Sequence, residues 1–420
     1  MDYQETLNAL KNGNIPRDSI LDFSVGREDE LNEFKNLLNR IENGSAITKF
    51  INGEFGAGKS FFLKLVEETA FNDNFVVSRI TLSQNLQFHK IENIYKAIAK
   101  TLTCKTGESL NHIIDKWITR LKVEAEDEYE DEDELEERQE YLEYRIREDL
   151  IATRDCSNSF ATAIEKYFQA KENGDEDTAN YAQAWLRGDS NIPFTQKRKF
   201  GVKGDVTKEN AFHFLTALST YINSIGYSGL VILIDEAEFI LKTPQERSRS
   251  VAYNYMRDIY DNCSNGTFSN MLFVFAGTQQ FYEDEHKGVK SYDALYSRIV
   301  NVLDSDYDDL RTPIVNLYGF KENDVKKITD LIINMHEETY NWDTSNVKEA
   351  VNEFIELRVS NTGLTGGVIV PRTYIRELIS VLDTVEQNQD KLNNKEEIIK
   401  LFKQEEESSI ENEEEIFDDW

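Results

Sequence analysis

Short apolar runs alternate with amphipathic helical patterns in two parts of the chain. The runs predict five strands, at 46–51, 75–80, 229–234, 271–276 and 314–317. Apolar residues that recur every three to four positions predict helices at 27–43, 59–71 and 246–263. Because strands separated by helices usually run side by side in one direction, the pattern predicts a parallel sheet with helical crossovers.

The stretch between residues 88 and 208 has a different pattern. It shows helical periodicity and no run that predicts a strand, and the pattern after residue 318 is again helical. We therefore predict an α/β fold in four parts: a core at 1–103 and 206–318, a long helical insertion at 104–205, a C-terminal helical lid at 319–390 and an acidic tail at 391–420.

Acidic residues are concentrated in two segments of a chain whose formal net charge is −31. Residues 124–140 contain twelve acidic residues and one basic residue, and residues 405–420 contain nine acidic residues and no basic one. A protein that binds DNA with its whole surface is normally basic, so the charge excludes broad DNA coating and leaves a local contact open. The segment 124–140 is either a solvated helical face or linker, or an acidic surface that docks a basic partner.

Cysteine usage and hydropathy indicate a protein of the reducing cytosol. Cys104, Cys156 and Cys263 are far apart in sequence and form no CxxC motif. The polar first residues do not resemble a signal peptide. No apolar run approaches the roughly 20 residues that a membrane helix needs. We expect a cytoplasmic protein without membrane contact.

The sequence Gly53–Ser60 matches the phosphate-binding pattern G-x-x-x-x-G-K-[ST] without deviation, between a predicted strand and a predicted helix. Glycines let the backbone curl around phosphates, and the N–H groups of the curl and of the helix N-terminus attract anions. Lys59 is expected to reach the β- and γ-phosphates and Ser60 to bind Mg²⁺. The residues predicted to bind ATP here are Gly53, Glu54, Phe55, Gly56, Ala57, Gly58, Lys59, Ser60 and Phe61.

Two carboxylates follow the apolar run at 230–234, at the strand end where open parallel sheets bind ligands. We expect Asp235 to bind Mg²⁺, directly or through water. Glu236 is the candidate general base that orients and deprotonates the attacking water. The alternative is that the pair only caps the next helix.

Three further positions are weaker candidates for phosphate chemistry. Thr278 follows the apolar run at 271–276 and is the first choice to sense the γ-phosphate or position water, with Gln279 the second and a helix cap the alternative. Arg298 suits the charge that develops in phosphoryl transfer, and Arg372 begins a helix of the predicted lid. Solvated surface arginine is the alternative for both.

A basic and aromatic cluster occupies residues 196–200. Lys197, Arg198 and Lys199, next to Phe200, are candidates to contact nucleic acid or the nucleotide of a neighbouring subunit. Simple solvation is the alternative. The five histidines show no metal-ligand spacing.

The order of these features resembles that of AAA+ ATPases. Val25–Glu28 is similar to the segment that packs near adenine in AAA+ proteins of the origin-recognition and STAND-like groups. The resemblance implies an AAA+-type P-loop NTPase core, with Val25, Gly26 and Arg27 near the adenine and Arg372 reaching the nucleotide from the lid.

More specifically, the chain resembles the BREX-system ATP-binding proteins of bacterial and archaeal phage-defence loci, over roughly residues 5–390. The motifs that carry this resemblance are Asn14-Ile15-Pro16, Val25–Glu28, Phe50–Leu63, Trp185–Gly188, Gly226–Leu230 and Pro371-Arg372. It implies a role in defence against foreign DNA, beside a superfamily 2 helicase. The acidic segment and tail depart from the family pattern.

Together these features predict an ATP- and Mg²⁺-dependent ATPase that acts as a switch in a multi-protein defence assembly. Arg298, Arg187 or Arg198 is a candidate to act on a neighbouring subunit in a homo-oligomer. A non-hydrolysing, nucleotide-gated scaffold and a directly DNA-binding ATPase are the alternatives.

Overall fold

A computed structural model of the chain describes residues 3–15, 20–129, 135–300, 309–361 and 369–404. Residues 405–420 of the acidic tail, residues 130–134 of the acidic segment and residues 16–19 lie outside the described residues. Among the described helices, none is both long and apolar enough to cross a bilayer.

Seven strands form one sheet in the order β4-β3-β2-β5-β6-β1-β7. Their bounds are β1 Ala46–Asn52, β2 Val76–Thr81, β3 Leu102–Cys104, β4 Gly107–Glu108, β5 Leu230–Asp235, β6 Met271–Gly277 and β7 Ile314–Asn316. The four central strands, β2, β5, β6 and β1, pair in parallel. The predicted α/β fold with a mostly parallel sheet is therefore confirmed.

The short strands β3 and β4 were not expected. They pair antiparallel to each other, and β3 pairs antiparallel to β2, so the prediction of no strand between 88 and 208 is wrong. With three and two residues, these strands are too short to show the alternation by which a strand is identified in a sequence.

The register of the parallel strands aligns their carboxyl ends. Phe275 of β6 pairs with Phe50 on one side and with Ile234 on the other. Asn52 and Asp235 therefore end their strands at the same edge of the sheet, two strands apart. Side-chain chemistry carried by these strands converges on that edge.

Between and beyond the strands, the described residues form helices. The first eleven are α1 Tyr3–Lys11, α2 Glu28–Glu42, α3 Lys59–Asn72, α4 Ile91–Lys100, α5 Leu110–Glu128, α6 Leu135–Asp149, α7 Ile151–Cys156, α8 Asn158–Glu172, α9 Glu176–Leu186, α10 Phe194–Lys199 and α11 Ala211–Ser224. The others are α12 Glu246–Ser264, α13 Gln279–Glu283, α14 Asp293–Ile299, α15 Glu322–Tyr340, α16 Ser345–Asn361 and α17 Pro371–Gln387. Short 3-10 helices lie at Ile20–Phe23, Ala237–Lys242 and Val289–Ser291, and a further helical stretch covers 395–404.

The chain divides into two compact units, each built from segments distant in sequence. The first contains Met1–Asn32, Gly53–Glu68 and Asn316–Trp420, and the second contains Glu33–Asn52 and Thr69–Val315. In the second unit, the helices of the stretch 104–205 share one apolar core with the sheet. Trp117 of α5 meets Tyr221 of α11 edge-on with ring centres 5.8 Å apart, which ties the stretch to a helix beside the sheet.

The first unit has its own apolar core, formed mainly by α15, α16 and α17. Leu7 and Leu10 of α1 are buried in it, because their spacing places both side chains on one face of the helix. Lys11 also forms a 2.6 Å ion pair with Asp383 of α17. The N-terminal helix therefore packs with the C-terminal helices.

Candidate functional site

The phosphate loop Gly53–Ser60 leaves the sheet directly after Asn52 and enters α3 at Lys59. Gly56 has φ +80° and Gly58 has φ +90°, in the left-handed region that side chains disfavour. This is the curled backbone that the motif predicts, with the N-terminus of a fourteen-residue helix at its end.

Lys59 lies across its own loop. Its Nζ donates hydrogen bonds to the carbonyl oxygens of Gly53 at 2.9 Å and Glu54 at 3.2 Å, and the residue is 8% exposed. The ammonium group is thus held by backbone carbonyl oxygens of its own loop. A phosphate group bound in the loop can replace these oxygens as its hydrogen-bond partner.

Packing also requires small residues in the loop. A Cβ at Gly53 would lie 2.9 Å from the carbonyl oxygen of Leu317, and one at Gly56 would lie 2.6 Å from Cγ1 of Val370. The residues after β7 and before α17 therefore touch the loop directly.

Arg27 braces this loop from within. One of its guanidinium nitrogens, Nη2, donates to the carbonyl oxygen of Ala57 at 2.9 Å and also to that of Tyr318. The residue is 6% exposed, and burial lowers the pKa of Arg27 from its ordinary value, although the carboxylate of Glu30 at 3.6 Å opposes the shift. Its guanidinium donates hydrogen bonds to backbone carbonyl oxygens, so this geometry suits a side chain that holds the loop in position.

The neighbours of Arg27 are also built into the first unit. Val25 is half-buried against its apolar core. Gly26 has φ +70°, and a Cβ there would lie 2.9 Å from Cγ of Asp324. Phe61, next to the loop, packs against the same core. Ser60 is half-buried as the second residue of α3.

Asp235 ends β5 with 4% exposure. Its Oδ2 accepts a 3.1 Å hydrogen bond and ion pair from Nη2 of Arg79 on the adjacent strand β2, and its Oδ1 accepts from the backbone N–H of Glu236 at 3.0 Å. These contacts hold a buried carboxylate at the carboxyl edge of the sheet.

Glu236 adopts a left-handed backbone, with φ 58° and ψ 41°. This conformation costs a residue with a Cβ about 1–2 kcal/mol, and such strain is concentrated at functional sites. Glu236 precedes the 3-10 helix Ala237–Lys242, and its side chain makes no capping hydrogen bond to that helix. A capping hydrogen bond from this side chain therefore does not explain the strained backbone of Glu236.

Thr278 directly follows β6 and precedes α13. It occupies the N-cap position, but its side chain makes no capping hydrogen bond. It is half-buried, while Gln279 is exposed. Register places Gly277, the residue before Thr278, opposite Asn52 at the carboxyl edge of the sheet.

Two of the candidate arginines are held by carboxylates. Arg298 on α14 pairs with Asp261 through two contacts of 2.7 and 3.1 Å and also donates to the carbonyl oxygen of Ala294. Arg187 donates to Asp189 at 3.3 Å. Each would have to exchange this partner before acting on another subunit.

Arg372 is the second residue of α17, after Pro371 at the first helical position as predicted. Its guanidinium lies against Gly13, where an added Cβ would come within 2.7 Å of Nε. The end of the N-terminal segment therefore contacts the candidate lid arginine. The preceding residues 362–368 lie outside the described part of the chain.

The basic cluster at 196–200 is split by the fold. Lys197 is 8% exposed and forms a 2.6 Å ion pair with Asp205, and Phe200 is fully buried. Arg198 and Lys199 are exposed. Of the three basic residues in the cluster, two are therefore exposed. Their contact with nucleic acid or a neighbouring subunit stays a prediction.

The roles of Arg79 and Arg27 were not found from the sequence. Arg79 stands inside the apolar run of β2, and a charge in a buried strand was the signal that it needs a partner nearby. Arg27 was assigned by resemblance to the adenine side of the site, whereas its guanidinium reaches two backbone carbonyls distant in sequence. No periodicity or spacing indicates such contacts.

Comparison with known proteins gives one family. The model of the family "BREX system ATP-binding protein BrxC/D" matches residues 1–400. Neither the search of curated proteins nor the search of solved structures finds a match. Because the matched region includes the phosphate loop, both carboxylates of the β5 end and all of α17, the chain belongs to the family of BREX system ATP-binding proteins BrxC/D.

Proposed function

We propose that the loop Gly53–Ser60 binds the triphosphate of ATP and that the chain hydrolyses it with an AAA+-type P-loop site. The observation that carries the proposal is the preformed loop itself: left-handed Gly56 and Gly58 curl the backbone, and Lys59 already lies across its mouth. A curled backbone, a lysine and a helix N-terminus together form a phosphate site. The family of the chain is named for ATP binding, in agreement with this chemistry.

We propose that a magnesium ion binds beside the phosphates. Mg²⁺ usually takes one or two carboxylates and keeps its other positions for phosphate oxygens and water. We propose Asp235 and the hydroxyl of Ser60 as its protein ligands. The ion would supply positive charge to the phosphate oxygens.

We assign hydrolysis to Glu236. In this step a water oxygen bonds to the γ-phosphorus, the bond from that phosphorus to the β,γ-bridging oxygen breaks, and the products are ADP and phosphate. The water proton passes to the Glu236 carboxylate. The strained backbone of Glu236, which capping does not explain, supports a catalytic role. Thr278 is proposed to position the water or sense the γ-phosphate.

The lid and partners are also proposals. We propose that 319–390 acts as a helical lid that carries Arg372, that 104–205 is an insertion, and that ATP turnover switches contacts within a multi-protein BREX phage-defence system. A superfamily 2 helicase and further copies of this chain are the proposed partners.

A matched pair of lysine variants tests ATP binding. Lys59→Ala removes the cation of the loop, and Lys64→Ala removes a cation of the same helix that pairs with Glu67 and Glu68. We expect Lys59→Ala to weaken ATP binding roughly 10- to 100-fold, because a charge-assisted contact to phosphate is lost, and Lys64→Ala to bind like wild type. Equal binding by both variants and wild type would rule the loop out.

A second candidate function, the non-hydrolysing scaffold, is favoured by one observation. Arg298 is held by Asp261, so the isolated chain has this arginine engaged elsewhere. If the chain is such a scaffold, it binds ATP but does not hydrolyse it alone. Turnover then requires a partner that releases Arg298 from Asp261 or supplies an arginine of its own. Measuring phosphate release from the purified chain over a dilution series separates the two functions.

A further inference from the structure

Large hydrophobic side chains are exposed at the phosphate loop. Nine such side chains are exposed in the described residues. Three of them belong to the loop or to segments that contact it: Phe55 is 60% exposed, Tyr318 46% and Val370 39%. Val370 touches the loop at Gly56. Such a concentration at one place is typical of a ligand surface.

Tyr318 is fixed close to the loop by Arg27. Because one nitrogen of Arg27 donates to the carbonyl oxygens of both Tyr318 and Ala57, those two oxygens lie within two hydrogen-bond lengths, roughly 6 Å, of each other. The contact uses the backbone carbonyl of Tyr318, and the residue is 46% exposed.

Two of the residues that resemblance places near adenine make other contacts in the structure. The guanidinium of Arg27 is buried and bonded to carbonyls, and Val25 packs half-buried on the apolar core of its unit. An exposed aromatic ring beside the loop is the side chain best suited to cover the face of a nucleobase.

We propose that the ring of Tyr318 stacks on the base of the nucleotide whose triphosphate occupies Gly53–Ser60. This inference rests on the proposed function and adds the base-binding residue to it. Stacking needs the ring and not the hydroxyl, so the interaction accepts phenylalanine and loses affinity with an aliphatic side chain.

The experiment compares ATP with inorganic tripolyphosphate, which has the same phosphate chain and no base. Binding of both probes is measured by calorimetry for wild type, Tyr318→Leu and Tyr318→Phe. We expect Tyr318→Leu to bind ATP roughly five- to a hundredfold more weakly, which is the range measured for removal of one stacking ring. Tripolyphosphate affinity stays unchanged, and Tyr318→Phe binds both probes like wild type.

Controls separate this inference from the function on which it rests. If wild type binds neither probe, the proposed function fails. If it binds both and Tyr318→Leu weakens both equally, or neither, the stacking assignment is overturned while the loop assignment stands. Phe55→Leu tests the other exposed ring of the loop, and an ATP-selective loss in that variant alone would also overturn Tyr318. Tyr144→Leu changes another exposed tyrosine, on α6, and is expected to have no effect.

Discussion

Arg27 donates a 2.9 Å hydrogen bond to the carbonyl oxygen of Ala57, inside the phosphate loop and thirty positions later in the chain. The same nitrogen serves Tyr318, so one buried guanidinium holds the loop against the segment that follows β7. Since Arg27 is 6% exposed, water is poorly placed to replace it when the side chain is removed.

We therefore predict that Arg27→Ala destabilises the protein by about 2–4 kcal/mol, because three carbonyl oxygens, those of Gly26, Ala57 and Tyr318, lose their donor and Glu30 loses a cation. ATP affinity should fall as well, since the loop loses its brace. Denaturant unfolding and calorimetric ATP titration measure the two effects. Arg40→Ala, an exposed arginine of α2, serves as the control and should change neither. An Arg27→Ala protein with wild-type stability would contradict the brace.

Glu236→Gln should retain ATP and lose turnover. The amide keeps the size of the side chain but cannot accept the water proton, and loss of a general base typically costs a factor of about 10²–10⁴ in rate. Phosphate release and ATP binding are measured on the same preparation. Glu246→Gln, at the exposed start of α12, is the matched control. Unchanged phosphate release from Glu236→Gln would remove Glu236 from the chemistry.

Glu236→Gly separates stability from activity at the same position. Glycine accepts φ 58° without the penalty that a Cβ carries, so the folded state is relieved of about 1 kcal/mol of strain. We expect an unfolding free energy equal to or above that of wild type, together with loss of turnover. A clear fall in stability would show that the side chain of Glu236 contributes more to the fold than its backbone costs.

The sheet was predictable because its central strands are long and almost wholly apolar. β5 and β6 are buried along their full length, and the residues that follow them were identified as site candidates for that reason. The phosphate loop was predictable because its chemistry imposes a spacing on glycine, lysine and serine. In both cases local sequence determines the local structure.

Contacts between distant segments were not predictable from the same patterns. The apolar face of α1 indicates that Leu7 and Leu10 are buried, but nothing in its periodicity selects α15 and α17 as the helices that cover them. The split of the basic cluster has the same cause, because Lys197 is buried and paired with Asp205, eight residues later, while its neighbours stay exposed. Tertiary packing decides which members of a pattern stay exposed.

A buried hydrogen-bond chain in the first unit gives a stability prediction. Nε1 of Trp342 donates to Nδ1 of His336 at 3.0 Å, and Nε2 of the fully buried imidazole lies 3.1 Å from Oδ1 of Asp383. Because Nδ1 accepts, the proton of the neutral ring lies on Nε2 and is donated to Asp383. Trp342→Phe leaves Nδ1 without this donor.

We expect Trp342→Phe to lower the free energy of unfolding by about 1–3 kcal/mol, which is the cost of an unsatisfied buried acceptor. Urea unfolding measures the change. Tyr340→Phe is the control, since Tyr340 packs beside the same imidazole with ring centres 4.6 Å apart and loses only a hydroxyl. Equal stability of Trp342→Phe and wild type would show that the chain of hydrogen bonds contributes nothing.

Lys49 gives a pH-dependent prediction. It is 2% exposed in β1, its Nζ donates to the carbonyl oxygens of Leu310 and Thr312, and burial lowers the pKa of Lys49 from 10.5 to about 8. Below pH 8 both folded and unfolded states carry the proton, so the cost of burying the charge is fully present. Between pH 8 and 10.5 the folded state releases the proton while the unfolded state keeps it, and stability rises with pH.

Lys49→Met has no titrating group at this position. We therefore expect the unfolding free energy of wild type, minus that of Lys49→Met, to rise by up to about 3 kcal/mol between pH 8 and 10.5. Urea unfolding at several pH values measures the difference, which cancels titrations common to both proteins. Lys35→Met, an exposed lysine of α2, should follow wild type throughout. Parallel curves for wild type and Lys49→Met would mean that Lys49 keeps its proton in the folded state, and that its two carbonyl partners compensate for its burial.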